Sequence, residues 1–417
     1  MILRFLLTGT TLLLLTLVAS VGAAASAEPN SVPLTALENV RAYAAAARAD
    51  GRSYAVDAGR LYRGSGGVWE LVAAPPGVVV NAVVVDRADP DTVVIGAANK
   101  LSVYVSRNAG RRWTEAAMDT TAVGGVTALA LDAANRLLYV GTDADGVYRL
   151  RDLGAGSRSG LIASGHLLLN EPVLEIAADS TGAGFAFVRT QGNLYRAEAF
   201  GLRWVAVDSL PALPTALDIA DTSPPTVFVG TAGAGVVVSR DGVAWRSTGQ
   251  APEDIVDGRS VISDLAVDAA QPEVVYAGSV RTASGDLHPA SSRVAMSTDG
   301  GASWSTLAEL DELNAAELLP VAGTTGAVYV LTTASRRPLA VGGEPPLNVQ
   351  QSTEPSASGL SGTQLLAWIL AGNASAALVI LAFGEFKGGA RRLQSGPHAA
   401  RRRTAVPPVE LGTLKAG

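Results

Sequence analysis

A pair of motifs that returns about every 45 residues constrains this chain more than any local propensity does. Each unit opens on an alternating apolar stretch ending in Asp: Asn81-Ala-Val-Val-Val-Asp86, Ala128-Leu-Ala-Leu-Asp132 and Asp264-Leu-Ala-Val-Asp268, with Asp221 in a looser equivalent place. A second apolar stretch follows and is closed by Gly: Val93-Val-Ile-Gly96, Leu138-Tyr-Val-Gly141, Val227-Phe-Val-Gly230 and Val275-Tyr-Ala-Gly278. The interval is 45 residues to Gly141, 89 to Gly230 and 48 to Gly278, so the double gap hides one degenerate unit, Gly184-Phe-Ala-Phe-Val188. Short stretches of period-two alternation are strands, and small sheets with two apolar faces bury both only when a ring of them closes. The expectation is therefore an all-β chain forming a seven-bladed β-propeller of four-stranded antiparallel blades over 33–341. Its units fall at 40–73, 76–118, 125–163, 172–207, 213–248, 261–310 and 315–341. Six blades is the alternative, reached by discarding the first or the last unit. The last unit lacks a fourth strand, which residues near Ser31 to Leu37 are expected to supply.

The third and fourth strands of a unit are joined by the most specific piece, Ser297-Thr-Asp299-Gly300-Gly301-Ala-Ser303-Trp304. Looser copies are Ser239-Arg-Asp241-Gly242-Val-Ala-Trp245 and Ser106-Arg-Asn108-Ala-Gly110-Arg-Arg-Trp113, and Trp69 and Trp204 mark two whose turns have decayed. The residue types suit a hairpin turn: a carboxylate accepts backbone N–H groups, glycine takes positive φ, and the indole packs on neighbouring strands. The pattern resembles the Asp-box, or bacterial neuraminidase repeat, of sialidases, sortilins, xyloglucanases and photosystem assembly factors. Spaced blade after blade, Asn108, Asp241 and Asp299 with Trp113, Trp245 and Trp304 are expected to brace turns, because they cannot converge on one ligand.

The two ends carry membrane signals. Met1 to Arg4, a Leu-rich run to Val18 and Ala25-Ser26-Ala27 form a signal peptide over 1–27, with an uncleaved N-terminal anchor as the alternative. An apolar run from Leu365 to Phe383, interrupted by Asn373 and Ser375, places a transmembrane helix over 363–386. Residues 342–362 read as a flexible linker rich in Pro, Gly, Ser and Gln. The tail 387–417 carries Lys387, Arg391, Arg392, Arg401, Arg402, Arg403 and Lys415 against Glu410 alone, which marks a cytoplasmic C-terminus. The propeller is thus expected outside the cell membrane. The remaining chain has 25 basic and 37 acidic residues, an excess of acid that argues against nucleic acid as its partner.

Enzymatic chemistry finds little support. There is no Cys, which removes thiolate nucleophiles, thiolate metal sites and disulfides together, and His166, His288 and His398 stand alone. The resemblance implies a sialidase test: three arginines on a carboxylate, a Tyr nucleophile with a Glu, an acid–base Asp and an opening Phe/Tyr-Arg-Ile-Pro motif. The nearest match is Tyr62-Arg63-Gly64, which lies where a third strand is expected, and no position carries over. Xyloglucanase-like enzymes place catalytic Asp residues in a cleft between two propellers, and this chain has room for one. No catalytic residue, cofactor or metal is assigned.

The reading is a binding or assembly platform for a protein or glycan partner, with an exported sialidase-like glycoside hydrolase as the alternative. Two long loops around the sixth blade, Gly249 to Ser260 and Ser279 to Arg293, leave one face together. They present Glu253, Asp254, Asp257, Arg259, Arg281, Asp286, His288 and Arg293 as a candidate partner-binding rim.

Overall fold

The computed structural model describes residues 31–47, 52–65, 68–118, 124–151, 162–167, 171–248, 260–282, 289–310 and 315–342. The signal segment, the linker, the apolar C-terminal run and the basic tail lie outside the described residues. Among the described residues no helix is long and apolar enough to cross a membrane.

Seven antiparallel sheets follow one another along the chain, with boundaries within a few residues of the expected units. Their inner strands are Val40–Ala45, Val80–Val85, Val126–Asp132, Glu175–Ala178, Pro214–Ala220, Ser260–Asp268 and Ala315–Pro320. Five blades have four strands, the first has five and the seventh has three. The apolar residues gather into seven clusters, one at each junction between successive blades. Between blades 2 and 3, for example, Val94, Val103 and Val105 meet Leu129, Leu138, Val140 and Leu150. Burial at ~25 cal/mol per Å² of apolar area makes these seams the main source of cohesion.

The repeated glycine has a packing cause. A Cβ on Gly96 would stand 2.4 Å from Val126 Cγ1, one on Gly141 would stand 2.4 Å from Val173 Cγ1, and one on Gly230 would stand 2.5 Å from Ile262 Cγ2. Each glycine therefore leaves the space into which the next blade inserts its first apolar side chain. In the degenerate fourth blade the equivalent position is Arg189, which instead makes two hydrogen bonds to Glu175 on its paired inner strand, at 2.9 and 2.6 Å.

Ring closure departs from expectation. Ser31–Pro33 does not complete blade 7; it pairs with Val68–Val72 and adds a fifth, outermost strand to blade 1. Leu34 and Leu37 then turn inward and pack with Leu319, Tyr329 and Leu331 of blade 7 and with Val40 and Ala55 of blade 1. Arg337 Nε donates to Thr35 O at 2.8 Å, and Arg336 Nε donates to Val40 O at 2.7 Å. The short segment closes the seam as an apolar plug, because two leucines three residues apart bury more usefully between blades than along an exposed edge.

Candidate functional site

The motif turns are fixed from within. Ser303 N donates to Asp299 Oδ1 at 2.8 Å, and Gly301 N donates to Ser297 Oγ at 2.8 Å. Asp241 accepts from Val243 N and Ala244 N, both at 2.8 Å, and Asn108 Oδ1 accepts from Arg112 N at 2.8 Å. The hydrogen bonds from Ser303 hold the Asp299 carboxyl down at about 2. The indoles reach back to the preceding blade. Trp113 Nε1 donates to Ala73 O at 2.9 Å, Trp204 meets Tyr139 edge-on at 5.6 Å, and Trp245 meets Phe187 edge-on at 6.1 Å. Trp304 packs on the seam between blades 5 and 6.

The seven inner strands run in one direction around a central cavity of about 430 Å³. At the end where these strands finish, Arg87 Nη1 of blade 2 donates to Asp221 Oδ2 of blade 5 at 2.7 Å, and Ser180 N of blade 4 donates to Asp221 Oδ1 at 2.9 Å. Burial opposes ionisation of Asp221, but Arg87 and Ser180 outweigh it and its pKa is lowered.

Further along, the wall carries Glu175, Asp218, Asp264 and Glu317 from four successive blades. Asp218 Oδ2 accepts from Val267 N of blade 6 at 2.8 Å, and Asp264 Oδ2 accepts from Leu318 N of blade 7 at 2.6 Å. Glu317 receives Arg336 Nη2 at 2.5 Å. Asp218 and Asp264 thus stitch neighbouring blades together, whereas Glu317 and Glu175 are held by arginines of their own blades. Burial raises the pKa of Asp264 well above the usual carboxylate range, reinforced by the charges of Glu175 and Glu317. Burial also pushes Glu317 up to about 6, with Arg336 acting against it. Among the described residues, no group of three or more His, Asp or Glu is arranged to hold a metal. The sequence did signal these wall positions, as single acids interrupting otherwise apolar inner strands, but periodicity alone gave them no role.

Of the rim residues, Glu253, Asp254, Asp257, Arg259, Asp286 and His288 lie outside the described residues. Arg281 and Arg293 stand on strands and not in a loop. The second strand of blade 6 runs Gln271–Thr282 and the third runs Pro289–Ser297, with Ser279↔Arg293 and Arg281↔Ser291 in register. Arg293 Nη2 donates to Glu309 Oε1 on the outer strand at 2.7 Å. The stretch reads as a loop because its polar residues hide the alternation, yet the backbone ladder continues through it. Blade 6 is consequently taller than its neighbours, whose strands run to seven residues at most.

Fold and channel define a class, the seven-bladed β-propeller with inter-blade carboxylate stitches. No family model and no curated protein sequence matches the chain. Among solved structures it is similar to YCF48 bound to a D1 peptide, with TM-score 0.53 and 13% identity, covering 75% of this chain and 96% of that one. It is also similar to YCF48 from Cyanidioschyzon merolae, with TM-score 0.52 and 12% identity, covering 73% and 96%. A GH74 xyloglucanase from Xanthomonas campestris gives TM-score 0.51 and 18% identity, and the similarity covers 75% of this chain but 52% of the enzyme. At these identities the likeness is one of fold.

Proposed function

We propose that this chain is a membrane-anchored, extracytoplasmic propeller that serves as a non-enzymatic binding platform for a protein partner. The observation that carries the reading is the tall sixth blade. Its second and third strands rise past the height of the neighbouring blades as a ribbon that the first strand still backs, with Val280 paired to Val261 and Ser292, and Arg281 to Ser260 and Ser291. The ribbon is held at its base, since Gly233 N of blade 5 donates to Ser260 O at 2.9 Å and Ala315 N of blade 7 donates to Ser292 Oγ at 3.0 Å. A projecting element on a rigid scaffold is where recognition concentrates. The solved YCF48 propeller with a bound D1 peptide supports a protein as the partner. Export and anchoring rest on the N-terminal signal pattern and on the apolar run before the basic tail.

The test replaces residues 282–290 with an Asn-Gly turn, which keeps Arg281, Ser291 and Ser292 in place. Crosslinking from native membranes should recover a partner with the wild type and lose it with the shortened ribbon at unchanged melting temperature. Equal recovery by both overturns the reading.

A further inference from the structure

Among the described residues blade 7 has three strands, and the third of them, Leu339–Gly342, pairs on one side only, with Ala327–Thr332. The filler expected for the fourth place is spent elsewhere, because Ser31–Pro33 lies on the outer edge of blade 1. An edge strand without a neighbour presents a row of backbone donors and acceptors, which is a template for another extended segment. One face beside this edge is apolar and incompletely covered. Val341 packs with Val294 and Leu310 of blade 6, whereas Leu339, two residues away on the same face, is 42% exposed. Met296, Leu307 and Ala308 of blade 6 border the same cluster and are only half-buried.

The chain's own continuation has the length and the pattern to fill the place. Blade 5 supplies the ruler. Its third and fourth strands pair as Val237↔Ser247 and Val238↔Arg246, and the turn at residues 240–244 delivers Trp245 to the start of the fourth strand, edge-on to Phe187 of the preceding blade. Phe228 pairs with Val238 in blade 5 as Tyr329 pairs with Ala340 in blade 7, which aligns the two third strands residue by residue. The blade 5 register carried over to blade 7 puts residues 342–346 in the turn, Leu347 in the place of Trp245, and Asn348 and Val349 opposite Ala340 and Leu339. Residue types agree with this at each step. Gly342 has a φ of 80°, so the chain bends off the strand at the first turn position. Pro345 and Pro346, which have no N–H to give to a ladder, both fall in the turn. Leu347 and Val349 alternate onto the face of Val341 and Leu339, toward blade 6.

We infer that the open edge of blade 7 is the docking site of residues 347–349 of this same chain, which add antiparallel to Leu339–Gly342 and complete the blade. A strand from a second copy or from a partner would compete for this edge with a segment tethered only five residues away, whose effective concentration is of millimolar order. Both ends of the chain then seal blade 7: Leu34 and Leu37 on the side of blade 1, and Leu347 and Val349 on the side of blade 6. The docked strand also shortens the tether to the apolar C-terminal run. Residues 350–362 reach ~45 Å when fully extended, against ~70 Å for 342–362, so the ring is held closer to the membrane. The inference concerns the ring itself and does not depend on the platform reading.

The chain has no cysteine, so two introduced thiols report the register without background. Thr248 N donates to Val236 O at 3.0 Å, which makes the next pair in blade 5, Val237↔Ser247, a close and non-hydrogen-bonded one; Leu339 with Val349 stands in its place. The full chain in a non-ionic detergent, carrying Leu339→Cys with Val349→Cys, is treated with oxidised glutathione and followed on a non-reducing gel. The expected result is a disulfide within one chain, formed at least tenfold faster than in the control Leu339→Cys with Gln350→Cys, whose side chains lie on opposite faces. Adding Leu347→Asp to the first pair should slow it by a similar factor. Unchanged melting of the reduced variants shows that the ring is intact in each. Equal rates for the two pairs would mean a loose tether, a disulfide between two chains would assign the edge to a second copy, and no disulfide in either pair would leave the edge to another occupant. Each of these three results overturns the inference.

Discussion

Arg87 on blade 2 and Asp221 on blade 5, 134 residues apart, meet at 2.7 Å across the end of the central channel. Neither lies in the seam between adjacent blades, so their pair fixes the ring across its width. Removing Asp221 as Asp221→Asn leaves a partly buried guanidinium beside Asp218 without its main partner. The expected loss is ~1–3 kcal/mol, below the ~3–5 typical of a fully buried pair, because both side chains keep some solvent access. A double-mutant cycle with Arg87→Met, read by urea unfolding, should return a coupling energy clearly above zero. Additive single effects would show that the pair contributes nothing.

Acidification should stabilise the ring between neutral pH and about pH 5. Glu317 has its folded pKa raised to about 6 from 4.5, so the folded chain holds this proton more tightly than the unfolded one. Asp264 is raised in the same direction. Stability is therefore greater below about pH 4.5 as far as these groups are concerned, and is lost as pH rises through about 6. Asp221 acts oppositely, but its lowered pKa places its contribution below the ordinary Asp range, outside this window. Chemical denaturation at pH 5 and pH 7.5 should differ by ~1–2 kcal/mol, and Glu317→Gln should shrink that difference. Identical pH profiles for wild type and variant would contradict the assignment.

The seam glycines offer a sharper test of packing. Gly96→Ala puts a methyl group into space that Val126 occupies and should cost ~1–3 kcal/mol. Gly192, where an added Cβ meets nothing within 4 Å, should accept Ala within ~0.5 kcal/mol. Equal melting temperatures for the two variants would remove the packing explanation of the repeat.

The proposed topology is checked by reporters fused after Gly417. One that works only in the cytoplasm is expected to be active, given the basic residues from Lys387 to Arg403. Activity of an exported reporter at that position would reverse the orientation.

Much of the fold was legible because its causes are local. Asn81 to Asp86 and Val93 to Gly96 alternate as strands, and Ser297 to Trp304 contains within eight residues the donors and acceptors that close its own turn. The ribbon of blade 6 was not legible, since Ser279, Arg281, Ser291 and Arg293 carry no apolar alternation and their order comes from continued backbone pairing. Ring closure was misplaced for a related reason. Val32 and Leu34 look equally fit for an edge strand of blade 7, and only the presence of Leu319, Tyr329 and Leu331 at the seam decides where the segment packs.

By itself the sequence determined that the chain repeats, that each repeat is a small antiparallel sheet, and that six or seven of them close, because strand period, turn chemistry and glycine spacing act within a single unit; the structure decided for seven. Only the tertiary structure decided which charges meet. Arg87 finds Asp221, Asp264 receives Leu318 N, and Arg63 bridges Glu70 to Ala109 through contacts between blades. Protonation and pairing depend on burial and on neighbours distant in sequence, and those are fixed when the ring closes.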